Sequence, residues 1–530
     1  MHRKKNSNDS FTPVLDWIEK AGNRLPEPAV LFVFGTLLIM VLSQIAYLAD
    51  WSVEKTITQT SATNLIVSSI EVHAVGLLTA EGLWWAISHM IDNFINFPPL
   101  GLVLVGMLGI GIAERSGLLS AVLSRSMTLM PAKLLTPAMI FVGVMSSLAL
   151  DAGYIVLPPL AAAIYYAVGR PPLAGIAAVF AGVSAGFSAN LFITAVDPLL
   201  SGLTQAGAAV LDPDYRVAVT CNWWFMIAST VLITVTGWAV SAWLVEPRLS
   251  ETWSRSHMAS NNAHNDVSSI DTLSVPGTNE RRGLMAGGIT ICITLAIILC
   301  LILIPDAPLY GQGKRFSRWI EASVPLLFVI FFFPGLAYGI AAGSIKNNKD
   351  AASMLGNTIS NLGPYIVMAF FAAQFIEYFK YSNLGEMIAI AGGQALAQAS
   401  FPPSLLIIAF IIVVLTGNLF IGSASAKYAF FAPVFVPMFM QVGISPELTQ
   451  AAYRVGDSAS NVIAPLNPYI VIVLAMMQKY ARNTGIGSLV SIMLPYTLVF
   501  AVAWTALLVI WMLTGSDLGP AGPLNYTPNQ

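Results

Sequence analysis

Long apolar runs separated by short polar stretches dominate the chain. Runs long enough to cross a bilayer, roughly 20 residues each, fall near 28–48, 98–113, 172–204, 219–245, 284–304, 319–342, 350–378, 450–478 and 488–514. They predict nine crossing helices. Two further apolar stretches do not fit single crossings. Residues 134–169 carry one charge, Asp151, near the middle, with Lys133 and Arg170 at the two ends. A stretch whose basic ends face one side is a re-entrant hairpin with Asp151 near its tip. Residues 403–446 read the same way, with a polar tip at Gly417–Lys427. Irregular backbone at membrane depth is tolerated only where protein buries it or water reaches it, so both tips are expected to line a cavity.

The two hairpins belong to an internal echo. Ser146–Pro198 runs through Pro158-Pro159 and a Gly/Ser/Asn-rich segment to Asp197-Pro198, and Gly417–Pro468 ends on Asn461 and Asn467-Pro468. Apolar segments broken at Gly, Ser, Asn and Pro in corresponding halves are a pointer to a secondary-transporter binding site. The chain thus divides into an N-terminal segment 1–27, a first membrane half 28–245 and a polar linker 246–283. A second half 284–515 and a tail 516–530 follow. The expected fold is an all-α polytopic membrane protein, with about nine transmembrane helices and two re-entrant hairpins in an inverted repeat.

Composition agrees. Of 530 residues 56% are hydrophobic and 10% charged, against about 25% charged in soluble domains. A net charge of −2 without a basic face gives no sign of a nucleic-acid partner, and none is expected. Cys221, Cys292 and Cys300 form no disulfide or zinc pattern, and no cofactor is expected. Residues 1–27 show no apolar core of a cleavable signal. With the N-terminus inside, 17 of the 25 Lys and Arg fall on inner segments and six on outer ones, while Lys427 and Arg454 lie within apolar stretches. That bias satisfies the positive-inside rule and predicts a cytoplasmic N-terminus. No phosphate-binding Gly-x4-Gly-Lys motif is present, which argues against direct ATP drive.

Charge inside a membrane costs about 2.5–3.5 kcal/mol for a central Asp, Lys or Arg. Five such residues stand in otherwise uncharged runs: Asp151, Asp197, Lys427, Arg454 and Asp457. Asp197 is a candidate proton carrier. A straight helix from residue 172 would carry it to the far interface, so a central Asp197 requires a break, which the Gly186–Asn190 run permits. Asp151 is either a carrier or the cap of a half-helix, where a carboxylate is favoured by the dipole. Arg454 and Asp457, three apart, share a helix face and are a candidate structural pair. Lys427 is a counter-charge or an anion ligand. Asn190, Pro198, Asn467 and Pro468 mark the broken-helix positions. The five histidines all lie in tails, loops or near an interface, which leaves proton traffic to the carboxylates.

The residues also resemble a known family. Gly22-Asn23-x-Leu25-Pro26-x-Pro28, Ala113-Glu114-Arg115-Ser116-Gly117-Leu118, Asp151-Ala152 with Pro158-Pro159 and Gly169-Arg170-x-Pro172 are similar to the AbgT family. So are Glu246-Pro247-Arg248-Leu249, Ala432-Pro433-x-Phe435-Val436-Pro437-Met438 and Arg454-x-x-Asp457-Ser458. The resemblance spans about residues 14–520. It implies an inner-membrane homodimer of nine spanning helices and two hairpins, with a basin open to the cytoplasm. The implied substrates are p-aminobenzoyl-glutamate and sulfonamide antimetabolites. The family's functional positions map onto Asp197, Asn418, Ser425, Tyr428, Arg454, Asp457 and Pro465. Tyr428 stands where members usually carry Trp.

On this resemblance Tyr428 stacks on an aryl ring, Asn418 and Ser425 donate or accept hydrogen bonds, and Arg454 or Lys427 faces an anion. Asp197, with Asp457, carries the proton. The expected function is a proton-coupled transporter of p-aminobenzoyl-glutamate-like compounds that exports sulfonamides. Two alternatives stay open. One is a sodium-coupled importer of dicarboxylate-type substrates; the other is an intramembrane aspartyl protease using Gly456-Asp457.

Overall fold

The computed structural model describes residues 28–61, 64–128, 131, 134–149, 152–250, 253, 278–310, 317–464, 467, 469–481 and 484–528. Asp151, Pro465 and Pro468, like the N-terminal segment 1–27 and most of the linker, lie outside them.

Six of the nine expected runs form continuous helices long and apolar enough to cross a membrane. They are α1 (Pro28–Leu48), α2 (Pro98–Arg115), α7 (Trp223–Val240), α8 (Thr278–Leu303), α9 (Ser323–Ala342) and α16 (Ile486–Thr514). Helix α7 continues through a π-helical turn, Ser241–Val245, to Ser250. The other three runs are interrupted. The run 350–378 is two helices, α10 (Asn348–Asn361) and α11 (Gly363–Tyr381), bent by 44°. Pro364 at the bend lacks the N–H that would continue the ladder. The run 172–204 breaks into α5 (Pro172–Ala185), a 3-10 turn at Gly186–Ser188, and α6 (Val196–Ala208). The last splits into α14 (Pro446–Asn461) and α15 (Tyr469–Tyr480).

Each expected hairpin is a pair of helices, α3 (Leu135–Met145) with α4 (Ala152–Ala167), and α12 (Pro403–Gly417) with α13 (Ala424–Met440). The open end of the first pair is tied across by Thr136 Oγ1 to Tyr165 Oη at 2.7 Å, and Arg170 Nη2 donates to Thr136 Oγ1 at 2.6 Å. Arg170 also grips Glu246 at the end of α7, through Nε at 2.6 Å and through Nη2. In the second pair Phe410 packs on Phe435 and Phe439.

Both halves stack a hairpin helix on the first part of a broken helix through glycine. A Cβ on Gly182 of α5 would sit 2.4 Å from Ile140 O on α3. A Cβ on Gly456 of α14 would come within 2.9 Å of Ile411 O on α12. Small residues let helix backbones approach where lipid supplies no hydrophobic drive between them.

One element lay outside the sequence reading. Two strands pair antiparallel, β1 (Ser52–Ser61) and β2 (Asn64–His73). The segment alternates β-branched and polar residues, a strand pattern, between the end of α1 and the short helix Ala80–Ser88. Lys55 reaches Glu386 at 2.6 Å, and Asn383 Nδ2 donates to His73 O at 2.9 Å.

Gly182→Val is expected to cost about 1–3 kcal/mol, because the backbone contact cannot widen without moving α3. Gly101, whose added Cβ would meet nothing within 4 Å, serves as the control. Thermal unfolding of the detergent-solubilised protein should place Gly182→Val well below the wild type and Gly101→Ala level with it.

Candidate functional site

The breaks in α5–α6 and α14–α15 meet the two hairpin tips. In the first half Asn190 Nδ2 donates to Ser147 Oγ at 2.8 Å, so the break is pinned to the tip after α3. In the second, Asn418 Nδ2 reaches Ser460 Oγ at 2.9 Å and Asn461 Oδ1 at 2.8 Å, pinning the tip after α12 to its break. Each break also holds an Asx turn: Phe192 N donates to Asn190 Oδ1 and Tyr469 N to Asn467 Oδ1, both at 3.0 Å. Such side chains replace the lost helical partners of the backbone.

Four charges are buried here in two pairs. Asp197 stands in the first turn of α6. Its Oδ2 accepts from Thr194 N at 2.6 Å and Thr194 Oγ1 at 2.9 Å, and its Oδ1 meets Arg454 Nη2 at 2.5 Å. The break thus places the carboxylate at a helix N-terminus, where the backbone dipole favours its charge. Asp457 pairs with Lys427 Nζ at 2.6 Å, and Lys427 also donates to Asn418 Oδ1 at 2.5 Å. All four side chains are at most 3% exposed. The expected Arg454–Asp457 pair is therefore replaced by two cross-element pairs. Residues 454 and 457 share a face, but each finds an opposite charge on a neighbouring helix at shorter range.

Beside Asp457 opens a cavity of about 430 Å³. Its aromatic wall is Tyr154, Phe187, Tyr365, Tyr453 and Tyr469; its polar wall includes Ser188, Ser425, Asp457, Asn461 and Asn467. Tyr154 and Tyr469, one from each half, stack with centroids 4.3 Å apart and planes within 1°. Tyr453 Oη donates to Ala424 O at 2.5 Å.

The candidate residues from the sequence thus separate into layers. Ser425, Asp457 and Asn467 line the cavity. Asn418, Lys427, Arg454 and Asp197 lie behind it, fully or almost fully buried. Tyr428, expected to stack on substrate, is one layer further back. It is fully buried, stacks on Tyr453 at 4.2 Å and meets Thr204 Oγ1 at 2.7 Å through its hydroxyl. The ring that faces the cavity is Tyr453. Asn190 and Pro198 flank the first break; Pro198 follows Asp197 within α6.

Sequence reasoning missed Tyr453, Thr204, Gln450 and Glu447, and gave Asn461 no role beyond its place in the broken segment. A signal was available: Glu447, Gln450, Arg454, Asp457 and Asn461 follow a 3-4-3-4 spacing, which is one helical face. Glu447 lies beyond the apolar run, at the loop end of α14, and is 1% exposed. Tyr215 Oη lies 3.0 and 3.2 Å from its two carboxylate oxygens. Burial, then the Glu447 charge, push the Tyr215 hydroxyl up, so it remains a protonated donor at any physiological pH.

Replacing Arg454 by Leu leaves Asp197 buried and uncompensated, at an expected cost of about 3–5 kcal/mol. The double variant Arg454→Leu/Asp197→Leu should recover most of that loss. Unfolding of the purified proteins in detergent checks this; losses that simply add would show that the two residues are not coupled.

Comparison with known proteins gives a consistent picture. Residues 13–526 match the model of the AbgT putative transporter family. The p-aminobenzoyl-glutamate transport protein of Escherichia coli (strain K12) is 34% identical over 510 residues, 95% of each chain. The YdaH transporter of Alcanivorax borkumensis superposes with a TM-score of 0.84 at 40% identity, covering 93% of this chain and 100% of its own. MtrF of Neisseria gonorrhoeae, described as illuminating a class of antimetabolite efflux pumps, superposes at 0.85 with 37% identity. That match covers 96% of this chain and 100% of MtrF.

Proposed function

The chain belongs to the AbgT family of multi-pass membrane transporters, and from that premise we propose that it is a proton-coupled antiporter. Its proposed substrates are p-aminobenzoyl-glutamate-like folate fragments and sulfonamide antimetabolites, the latter exported. Family membership overturns the intramembrane-protease alternative: this is a transporter, not an enzyme. Asp197 and Asp457 are each held by a cation, an arrangement unsuited to a shared-proton dyad. The proposed setting is the bacterial inner membrane, with a cytoplasmic N-terminus and a homodimeric assembly.

The observation that carries the reading is a carboxylate with a buried counter-charge on the wall of an aromatic cavity. Asp457 lines the cavity while Lys427 holds it from behind. An aryl amine packed among Tyr154, Phe187, Tyr453 and Tyr469 donates to that carboxylate. A proton arriving on Asp457 removes its charge and leaves a much weaker acceptor. Drug and proton therefore compete for one group, which is the condition for exchange. The polar end of the substrate meets Ser188, Ser425, Asn461 and Asn467. Behind this layer, the Asp197–Arg454 pair is the second proton carrier, because protonation releases Arg454 and loosens α6 from α14.

Two measurements test the reading. In proteoliposomes, flux of a radiolabelled sulfonamide should follow an imposed pH gradient and fall to background in Asp197→Asn. Flux that follows a sodium gradient instead, and survives in the variant, overturns proton coupling. Asp457→Asn should weaken sulfonamide binding by about tenfold, or 1.4 kcal/mol, as measured by equilibrium binding in detergent.

A further inference from the structure

The polar face of α14 does not stop at the cavity. Beyond Arg454 it continues through Gln450 to Glu447, about 10 Å further along the helix axis at 1.5 Å per residue. This end is closed by protein. The tail crosses it: Ser445 N donates to Leu524 O at 3.1 Å and Tyr526 N to Gly443 O at 2.8 Å. The 209–222 loop covers it from the other side, with Asn222 Nδ2 donating to Glu447 O at 3.0 Å.

Three observations set Glu447 apart. It is a buried carboxylate with no ion pair among the described residues, unlike Asp197 and Asp457. Its side-chain partner from the loop is the neutral hydroxyl of Tyr215, which is only half-buried and opens toward the surface beside Tyr526 and Asp212. On the residues that link Glu447 to the Asp197–Arg454 pair, four buried polar atoms have no partner among the described residues: Gln450 Nε2, Asn222 Oδ1, and Arg454 Nε and Nη1. Buried donors and acceptors of this kind are satisfied by ordered water. Thr204 Oγ1, 2.7 Å from both Gln450 Oε1 and Tyr428 Oη, flanks the same space.

We propose that Glu447 is a third protonation site, through which protons pass between the loop end of the molecule and Asp197. The inference rests on the proton-coupled reading above and adds the route. The transfer is balanced in charge. When Glu447 gives its proton to the Asp197 carboxylate, Asp197 becomes neutral and releases Arg454. The guanidinium, two turns from Glu447 on the same face, is then the counter-charge for the new Glu447 carboxylate. A proton entering past Tyr215 restores the acid. One cation thus serves two carboxylates in turn. The titratable groups that interact with Glu447 are Tyr215 and Cys221 from the loop and Tyr428 from α13, while Cys221 and Tyr428 also feel Arg454, and Cys221 feels Asp197. Tyr526 and Asp212 stand behind Tyr215.

The test uses full-length protein in proteoliposomes with radiolabelled sulfonamide as the probe. Two rates are compared: net flux driven by a pH gradient, and exchange at equal pH with sulfonamide on both sides. Exchange needs no net proton movement. Glu447→Gln, which keeps shape and hydrogen bonding, should lower net flux by about tenfold or more while leaving exchange near the wild-type rate, as loss of a relay carboxylate requires. Tyr215→Phe, which keeps the ring against Tyr526, should lower net flux in the same selective way. It serves as the second variant if Glu447→Gln does not accumulate.

Equal loss of net flux and exchange assigns Glu447 a structural role and overturns the proposal, as does wild-type net flux in both variants. Failure of the underlying reading looks different: the wild type itself would not respond to the pH gradient.

Discussion

Burying four charges inside an apolar scaffold is the constraint on which the rest of this structure depends. An isolated ion in such surroundings is so costly that each must have a partner at contact distance. Asp197 and Arg454, and Asp457 and Lys427, meet this demand across elements that the chain brings together from afar. Arg454 and Asp457 both sit on α14, so that helix is the hub. Its polar face would be intolerable toward lipid, and it is buried within protein over nearly its whole length.

The interruptions in the helices follow from the same demand. An unbroken helix from Pro172 would carry Asp197 past Arg454 toward the interface. The 3-10 turn and the extended residues after it hold Asp197 back and present it on the first turn of a new helix. Breaking a helix at membrane depth exposes backbone groups, and the asparagines in each break supply the missing partners. Asn190 in the first break and Asn418 at the second tip also bond hairpin to break, so each half locks its own irregular segment. Glycine at Gly182 and Gly456 allows the hairpin helices to approach closely enough for those bonds to form.

A layered arrangement results, in which the cavity lining and the buried charges are separate but touching. Aromatic rings and small polar groups face the cavity. One carboxylate, Asp457, belongs to both layers. The cations and Asp197 lie behind, where solvent cannot screen them. Glu447 extends that inner layer to the opposite end of α14.

The sequence by itself determined the membrane class, the helical character of the long apolar runs and four of the buried charges, Asp197, Lys427, Arg454 and Asp457. These are legible because hydropathy and the placement of Gly, Pro and Asn act locally, through helix length and backbone hydrogen bonding. Pairing was not legible. Asp197 and Arg454 are 257 positions apart, and the local rule that favours Arg454 with Asp457 lost to partners on other helices. The layer of each aromatic was equally hidden: Tyr428 and Tyr453 look alike in the chain, and only the packing of α13 on α14 puts one behind the other. Glu447 escaped notice because it lies just outside the apolar run, where a charge ordinarily meets water. The tail and the 209–222 loop fold over it, and burial of that kind is decided only by tertiary contacts.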